Sequence, residues 1–469
     1  MIAVKKINNT ELVLPFGMFA QIKASLFKDL SKEYVCYLLC GHTMVGNTLR
    51  LLACYLVIPD ETDYVRHSQV SVKIEQEFLV SILKECERLK LSLIDIHSHP
   101  FSVENVAFSS IDDADENEKA EWFKRYLPDC YFGSIVMGIN SHQSRVYLPS
   151  TQLIESSLLL RPIEIPLKTG KTAQFFDSKT HDRQLRAFSK EGQQALANAT
   201  FGIVGLGGLG AGLAIGLARL GAKHFKLVDF DRAETSNLNR VDGMTKIDAQ
   251  LKTFKVDIVA RNLLEINPEI KCQIIKRNIT KRQGWRQLRD VDVIITATDN
   301  YLSRMLLNIV SQMYLIPQVS IGTKISTKEE TLDGGHGHIY TVLPGHNQPC
   351  LLCAEIINPV EVYYEMASHA SRCQAVKSGY IENFEEPSPA VAHLNGVILN
   401  LALVEIHNLF CGFKPLSKHL VYSMLEQEVF TILESDRNCA TCSQGGGFFG
   451  RGDLVTDPIA DLKSTFQST

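Results

Sequence analysis

No apolar run in this chain reaches the length of a membrane span. The opening residues, MIAVKKINNTELVLPFG, also lack the long apolar core of a secretion signal. Both absences point to a cytoplasmic protein with no membrane partner. An excess of charge of one sign is missing too. The chain has 48 Lys and Arg against 52 Asp and Glu, a net charge of −4, which gives no reason to expect nucleic-acid binding. Lys168-Thr169-Gly170-Lys171-Thr172 ends like a phosphate-binding loop, but the first glycine at the required spacing is absent. The 12 cysteines do not read as a disulfide framework, because CxxC pairs in a cytosolic chain serve metal binding or catalysis. What remains is an ordinary folded composition, 45% hydrophobic and 21% charged. At 469 residues the chain is long enough for two or more domains, each with its own core.

The stretch Phe201 to Arg240 organises the rest. A β-branched run, Gly202 to Val204, leads into Gly205, Gly207, Gly208 and Gly210. A helical run follows from Leu213 to Leu220, and a second apolar run, Phe225 to Val228, ends in Asp229 and Asp231. This is a βαβ unit with a glycine-rich turn at the N-terminus of its helix, where the backbone approaches a phosphate and the helix dipole favours an anion. Asp229 follows about 20 residues later, where a carboxylate accepts a hydrogen bond from a ribose hydroxyl. To this point a dinucleotide-binding dehydrogenase fits equally well. The next residues separate the two. Ser236-Asn237-Leu238-Asn239-Arg240, then Lys255, then Asp299 after the run Val291 to Ile295 supply cations and a carboxylate. A triphosphate with magnesium needs them, and a dinucleotide does not.

This set resembles the ThiF/MoeB/HesA family, bacterial relatives of ubiquitin-activating enzymes, over about Thr180 to Gly445. The resemblance implies a nucleotide on Gly205, Gly207 and Gly210 with Asp229 on its ribose. It puts Asn237, Arg240 and Lys255 on the phosphates and Asp299 on magnesium. The interval from Arg240 to Lys255 is slightly long for the family, which makes Lys252 a rival to Lys255. Asp182-Arg183-Gln184 opens a helix running to about Leu196. The family carries an arginine-glutamine pair here whose arginine reaches ATP, often across a dimer interface, so Arg183 takes that role and a homodimer is expected.

Further on, Val291 to Ile295 and Gln318 to Ile321 continue the alternation of strand and helix, giving a mostly parallel sheet covered on both faces. His336-Gly337-His338 has no carboxylate pattern after it and reads as a strand in the later, antiparallel part. Cys350, Cys353, Cys439 and Cys442 form two CxxC pairs able to close a tetrahedral structural zinc site; the resemblance predicts the same pairs. Cys373 lies between them, beside Arg372 and Lys377, cations that favour a thiolate. Family relatives place a reactive cysteine near this point, ahead of a mobile crossover segment, here Gly379 to Pro389. A helix from Val391 to Phe410 closes the domain. From Gly446 to the end a flexible tail is expected, and its Arg451-Gly452-Asp453 carries no adhesive meaning.

Residues 1–150 form a separate unit. Helices are predicted over Met18 to Leu30, Glu75 to Leu89 and about Ala114 to Tyr126. Strands are predicted over Tyr34 to Cys40, Leu49 to Ile58 and Leu93 to Ile96. The last strand delivers His97-Ser98-His99-Pro100, and Ser109-Ser110-Ile111-Asp112-Asp113 follows. Histidines two apart on an extended chain face the same side. A carboxylate a short loop later completes three ligands, leaving a fourth zinc position for water. Glu33, at the start of the first strand, can reach that water as a base. HxHP followed by SxxD resembles the JAB/JAMM (MPN) metalloproteases. By that resemblance His97, His99 and Asp112 bind zinc, Glu33 is the base and Ser109 stabilises the oxyanion. Ser110 with Asp113 is the alternative frame.

The expected fold is therefore α/β. A JAB/MPN-like α/β domain spans 1–150, a linker with Pro162 and Pro166 spans 151–179, and a Rossmann-like ThiF domain spans 180–445. The expected activity is ATP-dependent adenylation of the C-terminus of a ubiquitin-like protein, followed by thioester formation. It is combined with zinc-dependent processing or deconjugation of the same modifier. Activation of a sulfur-carrier protein is the alternative; a non-catalytic scaffold and a dehydrogenase are weaker ones. The cofactors expected are ATP, Mg2+ and two Zn2+, one catalytic and one structural. The partners are a small ubiquitin-like or sulfur-carrier-like protein and a conjugating enzyme.

Overall fold

The computed structural model describes residues 7–69, 71–148, 154–169, 179–329, 331–345, 348–381, 389–432 and 439–467, with backbone only for 465–467. Most of the expected crossover segment and the Gly170-Lys171-Thr172 triplet lie outside the described residues; of the expected linker, 154–169 are described, and Ile154–Pro162 is a strand rather than a connection. The chain forms two compact units. One comprises Met1–Ile163, Met313–Leu315 and Ser443–Thr456; the other comprises Glu164–Gln312, Ile316–Cys442 and Asp457–Thr469.

The first unit is built on a closed barrel. Its strands are β1 (Asn9–Leu14), β2 (Val35–Val45), β3 (Thr48–Val57), β6 (Ser92–Ser98), β7 (Phe132–Met137), β8 (His142–Leu148) and β9 (Ile154–Pro162). The order around it is β1-β3-β2-β6-β7-β8-β9, closed by parallel pairing of β1 with β9. A small hairpin of β4 (Tyr64–Ser68) and β5 (Ser71–Ile74) stands apart. Strands β2 and β3 turn at Gly46, whose φ of +57° is a conformation that favours glycine. Strands β6 and β7 are buried along their whole length. Inside the barrel Leu12, Leu38, Leu51, Ile94 and Ile135 pack together. The opposite faces of the same strands pack Leu39, Leu93 and Phe132 against the helices Gln76–Leu89 and Ser110–Tyr126 through Ile82 and Phe123. Burial on both faces explains the unbroken apolar run YVCYLLC. The second helix begins at Ser110, earlier than the periodicity predicts, because Ser109 caps it.

The segment Ser443–Thr456 belongs to this unit, which corrects the expectation of a flexible tail from Gly446. Phe449 is fully buried and Phe448 nearly so. Gly452 bridges His42 in parallel fashion, and the Asp453 amide donates to the His42 carbonyl at 2.9 Å. Thr43 Oγ1 donates to Asp453 Oδ2 at 3.0 Å. At Gly41 a Cβ would lie 2.2 Å from the Gly450 carbonyl oxygen, so the strand accepts the tail only with glycine there. Two buried phenylalanines outweigh the conformational freedom that the preceding glycines suggest. Pro458–Gln467 then forms a helix.

The second unit holds one sheet of eight strands. They are β10 (Thr200–Val204), β11 (His224–Val228), β12 (Lys271–Ile275), β13 (Val293–Thr296), β14 (Gln318–Lys328), β15 (Thr331–Val342), β16 (His419–Ser423) and β17 (Glu428–Thr431). Their order is β12-β11-β10-β13-β14-β15-β16-β17. The first five are mutually parallel; β15, β16 and β17 add antiparallel. His336 and His338 lie on β15, as expected. The chain runs outward from β10 through β11 to β12, then returns to β13 on the other side of β10. That reversal opens a crevice at the carboxyl ends of β10 and β13, where ligands bind in such sheets.

Two helices differ from expectation. The run from Asp182 splits into Asp182–Leu185 and Lys190–Asn198, because the Ser189 side chain accepts from the Gly192 amide at 3.1 Å and starts a new helix. The helix Ala392–Cys411 has the length and composition of a membrane span, with a mean hydropathy of 1.4 over its most apolar window, contrary to the first reading of the apolar runs. However, 56% of that window is buried inside the protein, and Asn395, Glu405 and Asn408 are buried on it, so it serves as a core helix. It packs on Gly208–Leu220. A Cβ on Gly212 would meet Leu399 at 2.3 Å, and one on Gly216 would meet Leu403 at 2.4 Å.

Candidate functional site

The glycine turn follows β10. Gly205 takes φ +86°, and a Cβ there would lie 2.6 Å from the Ala297 carbonyl oxygen at the end of β13. At Gly210 a Cβ would strike the Gly205 carbonyl oxygen. Gly207 caps the helix Gly208–Leu220 without a side-chain hydrogen bond and faces open space. The first amides of that helix are thus left for an anion. Asp229 holds the turn from the next strand. Its Oδ2 accepts from the Leu206 amide and its Oδ1 from the Asp231 amide, both at 2.7 Å. Burial pushes its carboxyl above the ordinary carboxylate value, against the pull of those two amides. Each oxygen keeps a lone pair for a further donor such as a ribose hydroxyl.

Lys255 begins the helix Lys255–Ile266, and its Nζ lies 2.9 Å from Asp231 Oδ2. Its side chain is only 12% exposed. Its rival Lys252 is exposed and has φ +50°, with its carbonyl accepting from Arg232 Nη1. Lys255 is therefore the lysine docked against the Asp229–Asp231 loop. The Arg240 Nη1 donates to the Ser236 carbonyl at 2.7 Å and to Asn239 Oδ1 at 2.9 Å. The Arg240 backbone carbonyl lies beside Gly208, 3.0 Å from where a Cβ would stand. Asn237 is buried, and its Oδ1 accepts from the Glu234 amide at 3.2 Å, closing its own turn. Asp299 is exposed just after β13. Arg183 is exposed on its short helix and has no hydrogen bond or ion pair among the described residues.

Sequence reasoning missed two residues behind this crevice. Arg304 is buried. Its Nη2 donates to the Thr298 carbonyl at 2.7 Å and the Ile321 carbonyl at 2.9 Å, and its Nη1 to Ser320 Oγ at 2.7 Å. It ties the ends of β13 and β14 together, and burial lowers its pKa to about 10. Glu365 accepts from the Tyr301 amide at 3.1 Å and the Leu302 amide at 2.7 Å, capping the helix Tyr301–Tyr314 beside Asp299. Neither has a sequence signal, because all but one of their partners are backbone groups, which carry no residue-type pattern.

The four CxxC thiols come together. Cys350–Cys353, Cys350–Cys439, Cys353–Cys442 and Cys439–Cys442 have Sγ separations of 3.9, 3.7, 3.5 and 3.8 Å. A disulfide would need about 2.05 Å. Four sulfurs at about 2.3 Å from a tetrahedral zinc stand about 3.8 Å apart. The thiols fit a structural zinc ion, and three of the four are buried.

A profile of the ThiF family matches residues 181–443, more than half of the chain and all the residues just described. The chain belongs to the ThiF family. Among its relatives is the "sulfur carrier protein ThiS adenylyltransferase" of Bacillus subtilis, 31% identical over 162 residues, covering 34% of this chain and 45% of that protein. "Protein HesA, vegetative" of Trichormus variabilis is 27% identical over 261 residues, 55% of this chain and 86% of that protein. The "adenylyltransferase and sulfurtransferase MOCS3" of Drosophila ananassae is 31% identical over 185 residues, 39% of this chain and 38% of that protein. The chain thus spans less than half the length of the Bacillus and Drosophila relatives.

Within this ThiF-family region Cys373 sits mid-way along the helix His369–Lys377 and is partly exposed. Its Sγ lies 3.5 Å from His369 Nδ1, one turn back. His369 stands at i, i+4 to Cys373, a helical spacing that signals this contact beside the cations Arg372 and Lys377.

Outside the ThiF-family match, the barrel gathers a second set. His97, His99 and Asp112 bring their ligand atoms within 4.8 Å of one another. Strand β6 aims His97 by pairing it with Val35 and Val136. The buried His97 Nε2 has no hydrogen-bond partner, and it stands 3.5 Å from Asp112 Oδ1. Two zinc ligands at about 2.1 Å sit about 3.4 Å apart, so the donor set fits zinc. Glu33 is 5% exposed, with Oε1 3.8 Å from His99 Nε2. Burial pushes its carboxyl up to about 7. Ser109 Oγ accepts from the Asp112 amide at 3.3 Å as the cap of its helix. Asp113 pairs with Arg145 at 2.8 Å, which removes it, and the alternative frame, from the set. The exposed ring of Phe101 stacks on His99, a neighbour that sequence reasoning did not single out.

Proposed function

We propose that the ThiF-family domain adenylates the C-terminal carboxylate of a small ubiquitin-like or sulfur-carrier-like protein. The observation that carries this reading is the open glycine turn at the β10–β13 crevice, with Lys255 docked beside it. The carboxylate oxygen of the tail attacks the α-phosphorus of ATP, the bond to the bridging oxygen breaks, and pyrophosphate leaves with the electron pair. The free amides at Gly207–Gly210, with Lys255 and Arg240, neutralise charge gathering on the phosphates. Asp229 fixes the turn and offers its remaining lone pairs to the ribose. Asp299 would hold magnesium. A carboxylate acylates poorly and the mixed anhydride acylates well. Cys373 then attacks the carbonyl carbon: the S–C bond forms, AMP leaves, and His369 takes the thiol proton. Arg183, exposed on its own subunit, fits a role across a homodimer. A cytoplasmic location and a conjugating enzyme as the next acceptor complete the reading.

We read the barrel as a JAB/JAMM-type peptidase or isopeptidase that cuts after the same tail; the grouping of His97, His99 and Asp112 supports this reading. When bound to His97, His99 and Asp112, zinc would supply Lewis acidity and a lowered pKa of water. Glu33, with its carboxyl near 7, takes a proton from the attacking water and returns it to the leaving amine. Ser109 keeps a hydroxyl proton to offer the oxyanion.

The names of the Bacillus and Drosophila relatives favour a second reading, activation of a sulfur carrier. There a sulfide attacks the carbonyl carbon of the acyl-adenylate, the C–S bond forms, the bond to the phosphate oxygen breaks and AMP leaves, giving a thiocarboxylate without the Cys373 thioester. The test of adenylation is ATP–pyrophosphate exchange with candidate carriers. Asp299→Ala and Lys255→Ala should each lower it by about 100-fold or more. Full exchange in Asp299→Ala would refute the site.

A further inference from the structure

The glycines of the helix Gly208–Leu220 point to one residue beyond those assigned above. Gly208, Gly212 and Gly216 recur every four positions and face Asn395, Leu399 and Leu403, which recur every four positions on Ala392–Cys411. Ridges of this spacing interlock closely when one side is bare of side chains. Two members of the second ridge are leucines. The third, at the phosphate end, is an asparagine only 6% exposed. Thr323 Oγ1 donates to Asn395 Oδ1 at 3.0 Å, which turns the amide nitrogen the other way. A Cβ on Gly208 would lie 2.5 Å from that Nδ2. Among the described residues Nδ2 has no hydrogen-bond partner. A leucine would complete the ridge; the amide instead leaves a donor facing the bare glycine turn, free to bond a group seated there.

We propose that Asn395 is a nucleotide-binding residue, its Nδ2 donating to an oxygen of the phosphate group seated on the glycine turn. Thr323 is the positioning residue that orients it. The assignment rests on the reading of this turn as the ATP site. It also gives Gly208 a reason of its own: any side chain there would occupy the space between the amide and the phosphate. A neutral amide selects one oxygen without adding to the charge already supplied by Lys255 and Arg240.

The test uses the full chain and measures binding of ATP with magnesium by calorimetry, alongside melting temperature. Asn395→Leu matches the leucine ridge and should bind ATP about tenfold more weakly while melting normally. Asn395→Asp keeps the size of the side chain but turns a donor toward the phosphates into a carboxylate, and should lose about 100-fold. Thr323→Val should lose about threefold, since the amide keeps its donors but not its orientation. A pure packing role would leave Asn395→Asp at wild-type affinity. If Lys255→Ala weakens ATP binding and Asn395→Asp stays within twofold of wild type, the inference is overturned and the nucleotide site stands. If the wild type binds no ATP, the site reading itself fails and this inference with it.

Discussion

His97 Nε2 stands 3.5 Å from Asp112 Oδ1, buried and without a hydrogen-bond partner. That gap suits two ligands sharing an ion better than a direct hydrogen bond. The full chain should therefore carry two zinc ions, and His97→Ala should carry one. Because this site is open rather than closed, the variant should melt within a few degrees of wild type. Elemental analysis finding two zinc ions in His97→Ala would overturn the assignment.

Glu33→Gln separates base from ligand. The change keeps the size of a side chain that lies 3.8 Å from His99 but does not belong to the ligand set. Both zinc ions should remain, and cleavage of a linear carrier fusion should slow by about 100-fold or more. A rate within threefold of wild type would remove Glu33 from the mechanism.

Cys442→Ser attacks the other metal. A thiol cluster with three buried members has no second means of closing once one sulfur is lost. The variant should lose one zinc and melt several degrees lower, since structural zinc contributes folding energy. Strong chelators should reproduce the effect in the wild type. Loss of the zinc with unchanged melting would show the cluster to be dispensable for the fold.

Cys373 can be tested on denaturing gels. With ATP and carrier, the wild type should form a covalent adduct that excess thiol removes. Cys373→Ala should lose the adduct and keep pyrophosphate exchange, because adenylation precedes thiol attack. His369→Ala should slow adduct formation, given the 3.5 Å contact to Sγ. An adduct that persists in Cys373→Ala moves the role to another cysteine. No adduct in the wild type, with exchange intact, favours sulfur transfer.

Much of this was legible because the signals are local. Gly205 to Gly210 lie on one turn, His97 near the end of β6 with His99 just past it, and each CxxC on one short segment. The resemblance of these short patterns to known families then carried distant partners such as Asp112 and Asp299. Arg304, Glu365 and Asn395 were illegible for the opposite reason. Each meets a backbone group, or a glycine where a side chain would stand, and such partners leave no pattern of residue types. Gly212 and Gly216 looked like an ordinary small-residue helix, and only the opposing Leu399 and Leu403 explain their spacing. The tail misled because Gly445-Gly446-Gly447 spoke louder than Phe448-Phe449.

The path of Ser443–Thr456 sets an order on how the protein can be made. A ribosome finishes all the barrel strands of the first unit early, yet the residues that cover Gly41, His42 and Cys54 emerge only after the whole eight-stranded sheet has been translated. Throughout that interval the nascent barrel exposes the surface that Gly450, Gly452 and Asp453 later occupy. Nascent chains stalled before residue 443 should show a protease-sensitive β2–β3 hairpin, and those stalled well beyond residue 456 should not. A peptide of residues 443–456 supplied in trans is the natural means of completing the early product.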